Sequence, residues 1–143
     1  MLHMSEAVVL KLKELVLDHM GKEIHEAARL EASKEQLEGK TISEIRKMAP
    51  VLDVGTLILR LLATSVKPKD AEEAGKIYTY IKSIRNKFNT DKGVWSLEEK
   101  DLKELKEYLK KAEGELRSPM MIGQLFEMIS DLELELREKL KKK

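Results

Sequence analysis

The side chains able to do chemistry are few and far apart. His19 and His25 sit among Asp18, Glu23 and Glu26, the kind of set from which a metal site is built. Two imidazoles on one helical face need i, i+4 spacing; these are further apart, and Gly21 interrupts the segment. His19 reads instead as a boundary residue of a first helix and His25 as an exposed one. Asp53 and Arg60 form a second pair, about two helical turns apart, with Thr56 between them. They cannot touch along one helix. Each must reach a neighbouring helix, solvent or a partner, because a buried charge left alone is costly. One acid and one arginine without a base or nucleophile specify no enzyme. With no cysteine there is no thiol nucleophile, disulfide or thiolate metal site. The seven glycines are isolated, so Gly21-Lys22, Gly39-Lys40 and Gly75-Lys76 lack the rest of a phosphate loop. The chain therefore reads as a non-enzymatic protein, with no cofactor, metal or small-molecule substrate implied.

Composition narrows the class further. A length of 143 residues suits one domain, and an apolar fraction of 42% is enough for a core. The charged fraction of 37% divides into 27 basic and 26 acidic residues, which argues against a protein that coats DNA by bulk charge. The richness in Lys, Glu, Leu and Ile is compatible with a thermophilic source. Polar residues interrupt 8–17 too often for a signal peptide. The longest apolar run is too short to span a bilayer and carries Asp53 and Arg60. A cytoplasmic location is the expectation, with no membrane partner.

That apolar run, 51–64, is the element the others must surround. Asp53, Thr56, Arg60 and Thr64 fall on one narrow stripe, and Leu57, Ile58, Leu61 and Leu62 cover much of the rest. Ser5 can cap a first helix, with Val8, Leu12, Leu15, Val16 and His19 on one face and Leu10 and Leu17 on another. The local alternation over 8–12 also admits a strand, but 11–17 fits a helix better. Residues 22–38 form a thin amphipathic helix or projecting arm. Thr41 and Glu44 make a capping box for a short helix that buries Ile42, Ile45 and Met48 and ends at Pro50. Asp70 starts a helix with Ile77, Ile81, Ile84 and Phe88 on its stripe. After a turn at 89–93, Ser96 and Glu99 cap the helix carrying Leu102, Leu105, Leu109 and Ala112. Gly114 ends it. Ser118-Pro119 opens the last helix, lined by Ile122, Leu125, Phe126, Ile129, Leu132 and Leu136.

The expected fold is all-α: a single orthogonal or bundle-like domain of about five to seven helices around a central apolar helix. Residues 1–38 are its N-terminal segment or arm, 39–136 its core and 137–143 a basic, fraying tail.

Function is then a matter of binding. An apolar helix edge with a charged rim suits self-association or another protein, anchored by Leu10, Leu17, Trp95, Met120 and Met121, with Asp53 and Arg60 as polar contacts. The alternative is a nucleic-acid-binding or transcription-regulating protein using Arg46, Lys76, Lys82, Arg85 and Lys87. The four cations of the 71–88 helix spread over more than half of its circumference, which weakens groove reading.

The order of signals from Gly39-Lys40-Thr41-Ile42-Ser43-Glu44-Ile45, through the helices of 57–63 and 71–88, to Ser96-Leu97-Glu98-Glu99 and Ser118-Pro119 before Gly123-Gln124 resembles small phage-encoded proteins of poorly defined function. The resemblance covers about two thirds of the chain. It implies a phage or provirus protein acting on a host or viral complex, and it transfers no catalytic residue.

Overall fold

The computed structural model describes residues 6–90, 92–112 and 119–141. The central helix is shorter than its apolar run. It begins at Val54 because 51–53 is held extended: Asp53 bridges Leu15 and Val51 bridges His25. The Asp53 carboxylate accepts from Thr56 N–H at 2.8 Å. The N–H groups of Val54 and Gly55 donate to the carbonyls of Glu14 at 2.8 Å and Leu12 at 2.7 Å. The open donors of this helix start are thus satisfied by the chain itself, which leaves no anion site there.

Among the described residues six α-helices make an all-α, bundle-like domain: α1 (Lys34–Leu37), α2 (Ile42–Met48), α3 (Val54–Thr64), α4 (Ala71–Phe88), α5 (Glu99–Ala112) and α6 (Pro119–Lys141). α3 buries Val54, Leu57, Ile58, Leu61 and Leu62, and both α4 and α5 pack against it. Asp70 caps α4 by accepting from Glu73 N–H at 2.8 Å. Leu102, Leu105 and Leu109 of α5 join Leu125, Ile129 and Leu136 of α6 in the same core. No helix among the described residues is long and apolar enough to cross a membrane.

The first helix is replaced by a strand. β1 (Ala7–Lys11) pairs antiparallel with β2 (Val94–Glu98), with Leu10 opposite Trp95 and Val8 opposite Leu97. Val8, Leu10 and Leu12 point inward while Val9 and Lys11 face out, and Trp95 and Leu97 alternate in the same way with Ser96. Period two wins over helical spacing because two β-rich segments far apart in sequence bury each other's inner faces. The N-terminal segment thereby places Val8, Leu10, Leu12 and Val16 in the main core, packed rather than projecting. Ser96 lies within β2 and faces solvent, not at a helix cap. Gly93, at φ +57°, lets the chain turn into β2 while its carbonyl accepts from Leu12 N–H at 2.9 Å.

Residues 22–38 hold one 3₁₀ turn (Ala27–Arg29) and the single-turn α1, not a long helix. Ser33 and Gln36 close a capping box around α1. α2 starts as expected, with Thr41 Oγ1 accepting from Glu44 N–H at 3.1 Å, but the hydroxyl donates to the Glu44 carboxylate rather than completing the box. Its Ile42 and Met48 are exposed; α2 is fixed by its caps more than by burial. α6 stays helical to Lys141 instead of fraying after Leu136. The caps expected at Ser5 and Ser118, the helix end at Gly114 and the last two lysines fall outside the described residues.

Candidate interaction groove

The histidine cluster dissolves into turn chemistry. Asp18 closes the loop that carries Gly21: its carboxylate accepts from Met20 N–H at 2.8 Å and Lys22 N–H at 3.0 Å. Those backbone hydrogen bonds, Lys22's first, hold the exposed Asp18 carboxyl below its ordinary range. His25 donates from Nδ1 to the Ala49 carbonyl at 3.0 Å, and its Nε2 lies 3.5 Å from Glu23. No group of three or more possible ligands is gathered among the described residues.

The polar stripe of α3 is satisfied internally. Asp53 is the helix cap. Arg60 grips Glu26 with two nitrogens at 2.8 and 2.9 Å, and Arg29 reaches the same carboxylate at 2.9 Å. Thr64 donates to the Arg60 carbonyl at 2.6 Å. Arg60 first, and Arg29 after it, hold the Glu26 carboxyl below the usual carboxylate range against the opposing push of partial burial. A depressed pKa gives stability that is present above the unfolded-state value and lost as pH falls through the folded-state value. Arg60→Ala is therefore expected to lower stability by about 1 kcal/mol at pH 7. The gap should close as pH falls below about 4. Urea unfolding at pH 7 and at pH 3 checks this; a gap unchanged at pH 3 rules the pairing out as its source.

The aromatic residues build a core corner. Tyr80 stands edge-on to Trp95 at 5.9 Å and to Tyr108 at 6.0 Å. Burial, then the nearby Glu104 carboxylate, pushes both tyrosine hydroxyls up, so they hold their protons and are no bases at neutral pH. Glu73, the buried acid, accepts from Lys111 Nζ and Lys69 N–H, each at 3.3 Å. Among the described residues no buried side-chain polar atom is left without a partner.

The interface candidates divide sharply. Leu10 and Trp95, 1% and 6% exposed, are core residues rather than projecting anchors. Met121 is half-buried and packed on the core. Leu17 and Met120 are exposed and border one depression of about 460 Å³ with His25 and Arg46. Of the basic candidates, only Lys76, Lys82, Arg85 and Lys87 share α4. Arg46 lies apart on α2, and Lys76 borders a recess with Asp101 and Glu104. Lys82 sits 4.9 Å over the ring of exposed Tyr78.

What the structure assembles is a groove of about 430 Å³ between α6 and the stretch 9–17. Leu10, Leu125, Met128 and Leu132 line it from the core side, and Glu14, Glu127, Asp131 and Glu135 supply its charge. Val9, Leu15 and Leu17 leave 46%, 41% and 37% of their surface exposed along it. Gln124 fastens α6 to this stretch, accepting from Leu17 N–H at 2.8 Å and donating to the Leu17 carbonyl. Of these residues only Leu10 and Leu17 are expected from sequence as interface anchors. The signal for Val9 and Leu15 was the alternation from Val8 onward, in which both occupy outward positions.

No protein-family model, curated protein or solved structure matches the chain.

Proposed function

We propose that the protein is a non-enzymatic, cytoplasmic interaction module that presents the groove between α6 and residues 9–17 to another protein. The observation that carries this reading is the exposure of Val9, Leu15 and Leu17 along one concave, charged-rimmed groove. The order of signals that resembles small phage-encoded proteins makes a host or viral complex the place to seek the partner.

A photo-crosslinking residue placed at Leu15 or Leu17 tests the reading in cells that carry the natural gene. The expected result is a discrete protein adduct at both positions and little at Tyr78, with the identified partner binding the purified chain and losing affinity to Leu15→Glu. Adducts no stronger than those at Tyr78 count against it.

A second reading rests on α4. From Gly75 to Thr90 the chain carries Lys76, Lys82, Arg85 and Lys87 and no acid, beside the exposed ring of Tyr78. Such an acid-free stretch suits nucleic acid. Titration with duplex and single-stranded DNA at two salt concentrations decides it, since phosphate contacts weaken steeply with salt; no binding even at low salt removes this reading.

A further inference from the structure

One wall of the groove is a bare strand edge. Among the described residues β1 has β2 on one side only. The ladder continues through the bond from Leu12 N–H to the Gly93 carbonyl, so Val8 and Leu10, in the same alternate set, also direct their backbone groups at β2. Ala7, Val9 and Lys11 direct theirs the other way. Two ends of this outward row are already taken. Lys139 Nζ donates to the Ala7 carbonyl at 2.8 Å, and the Lys11 carbonyl accepts from Glu14 N–H at 3.3 Å. Val9, between them, meets no such clamp among the described residues.

We propose that the groove accepts an extended, cationic peptide segment that adds a strand at Val9 on β1 and sets alternate apolar side chains on the groove floor. This rests on the interaction reading above and names its partner class. Main-chain bonds would supply affinity and the floor would supply selectivity. Charge selects the occupant. Glu14, Glu127, Asp131 and Glu135 face one lining base, Lys11, and of the four only Glu135 has a basic partner among the described residues, Lys139 at 3.6 Å. That imbalance favours a basic segment. It disfavours a second copy joined β1 to β1, which would bring both acidic sets together. A helix in the groove would cover the Val9 backbone groups without pairing them, which is costly.

The probe is a blocked, fluorescent peptide of about ten residues alternating Lys and Val, long enough to cross the edge, titrated into the full chain and read by anisotropy. Saturable binding is expected. It should weaken about ten-fold or more for the Glu–Val counterpart and for the exposed double variant Glu127→Lys, Asp131→Lys. N-methylation of one alternate set of peptide amides should abolish binding while the other set is tolerated, because only one set faces β1. No saturable binding, equal binding of the Glu–Val peptide, or equal tolerance of both methylated sets overturns the proposal. Cross-links at Leu15 and Leu17 together with a failed peptide overturn strand addition and leave the interaction surface standing; loss of both removes both.

Discussion

Truncating Leu10 to alanine is expected to destabilise the protein by about 2–5 kcal/mol, whereas the same change at Leu17 should stay below about 1 kcal/mol. Both are leucines in the same N-terminal stretch, and helical spacing treats them alike. The fold does not. Leu10 faces Trp95 across the ribbon and belongs to the core that also holds Leu57 and Leu125. Removing its branch leaves a void that close-packed neighbours fill poorly. Leu17 is partly exposed on the groove rim, where water takes the place of the lost methyls. Urea midpoints with unchanged slopes measure the difference. Equal, small effects at both positions would place β1 on the surface and remove the ribbon from the core.

Gly55→Ala is the second informative change, because propensity and packing oppose each other in it. Alanine is the better helix former by about 1 kcal/mol. Here, however, a Cβ would overlap the ring of Phe88, whose Cδ2 would lie 2.6 Å away, and would stand 3.0 Å from Leu12 Cβ. Phe88 ends α4 and can give way in part. Leu12 cannot, since its carbonyl is bonded to the Gly55 N–H itself. Overpacking of this kind costs about 1–3 kcal/mol, so a net loss of up to about 2 kcal/mol is expected after the propensity gain. The double variant with Phe88→Leu should recover part of it, and a double-mutant cycle reads that coupling. A stabilising Gly55→Ala would show that α3 and α4 do not approach closely at this point.

The two variants probe the junction where β1, α3 and α4 meet, which is also where sequence reading and fold part company. Caps and stripes were legible where the deciding interactions are local. Thr41 and Asp70 sit at helix starts, Pro50 follows the end of α2, and the inward residues of α3 and α6 recur with helical period. The helical class follows from these features, since each helix closes its own hydrogen bonds within a few residues. Asp53 was legible as a helix start for the same reason. The partner of Arg60 was not, because Glu26 lies in a segment whose path is set by bridges to 51–53.

By itself the sequence determined a mainly helical domain, its central apolar helix and the absence of a thiol or phosphate-loop chemistry. Tertiary structure alone decided the strand at 7–11, because its hydrogen-bond partners lie at 94–98 and a five-residue alternation competes with a helical reading until that partner is present. The same pairing sent Leu10 and Trp95 inward, left Val9 and Leu15 outward and drew α6 alongside. The groove exists only in that arrangement: its floor comes from α6 and the core, its open edge from β1, and its acids from chain segments more than a hundred residues apart. No local pattern carries such a surface, since charge and exposure become a site only once packing has fixed which faces remain uncovered.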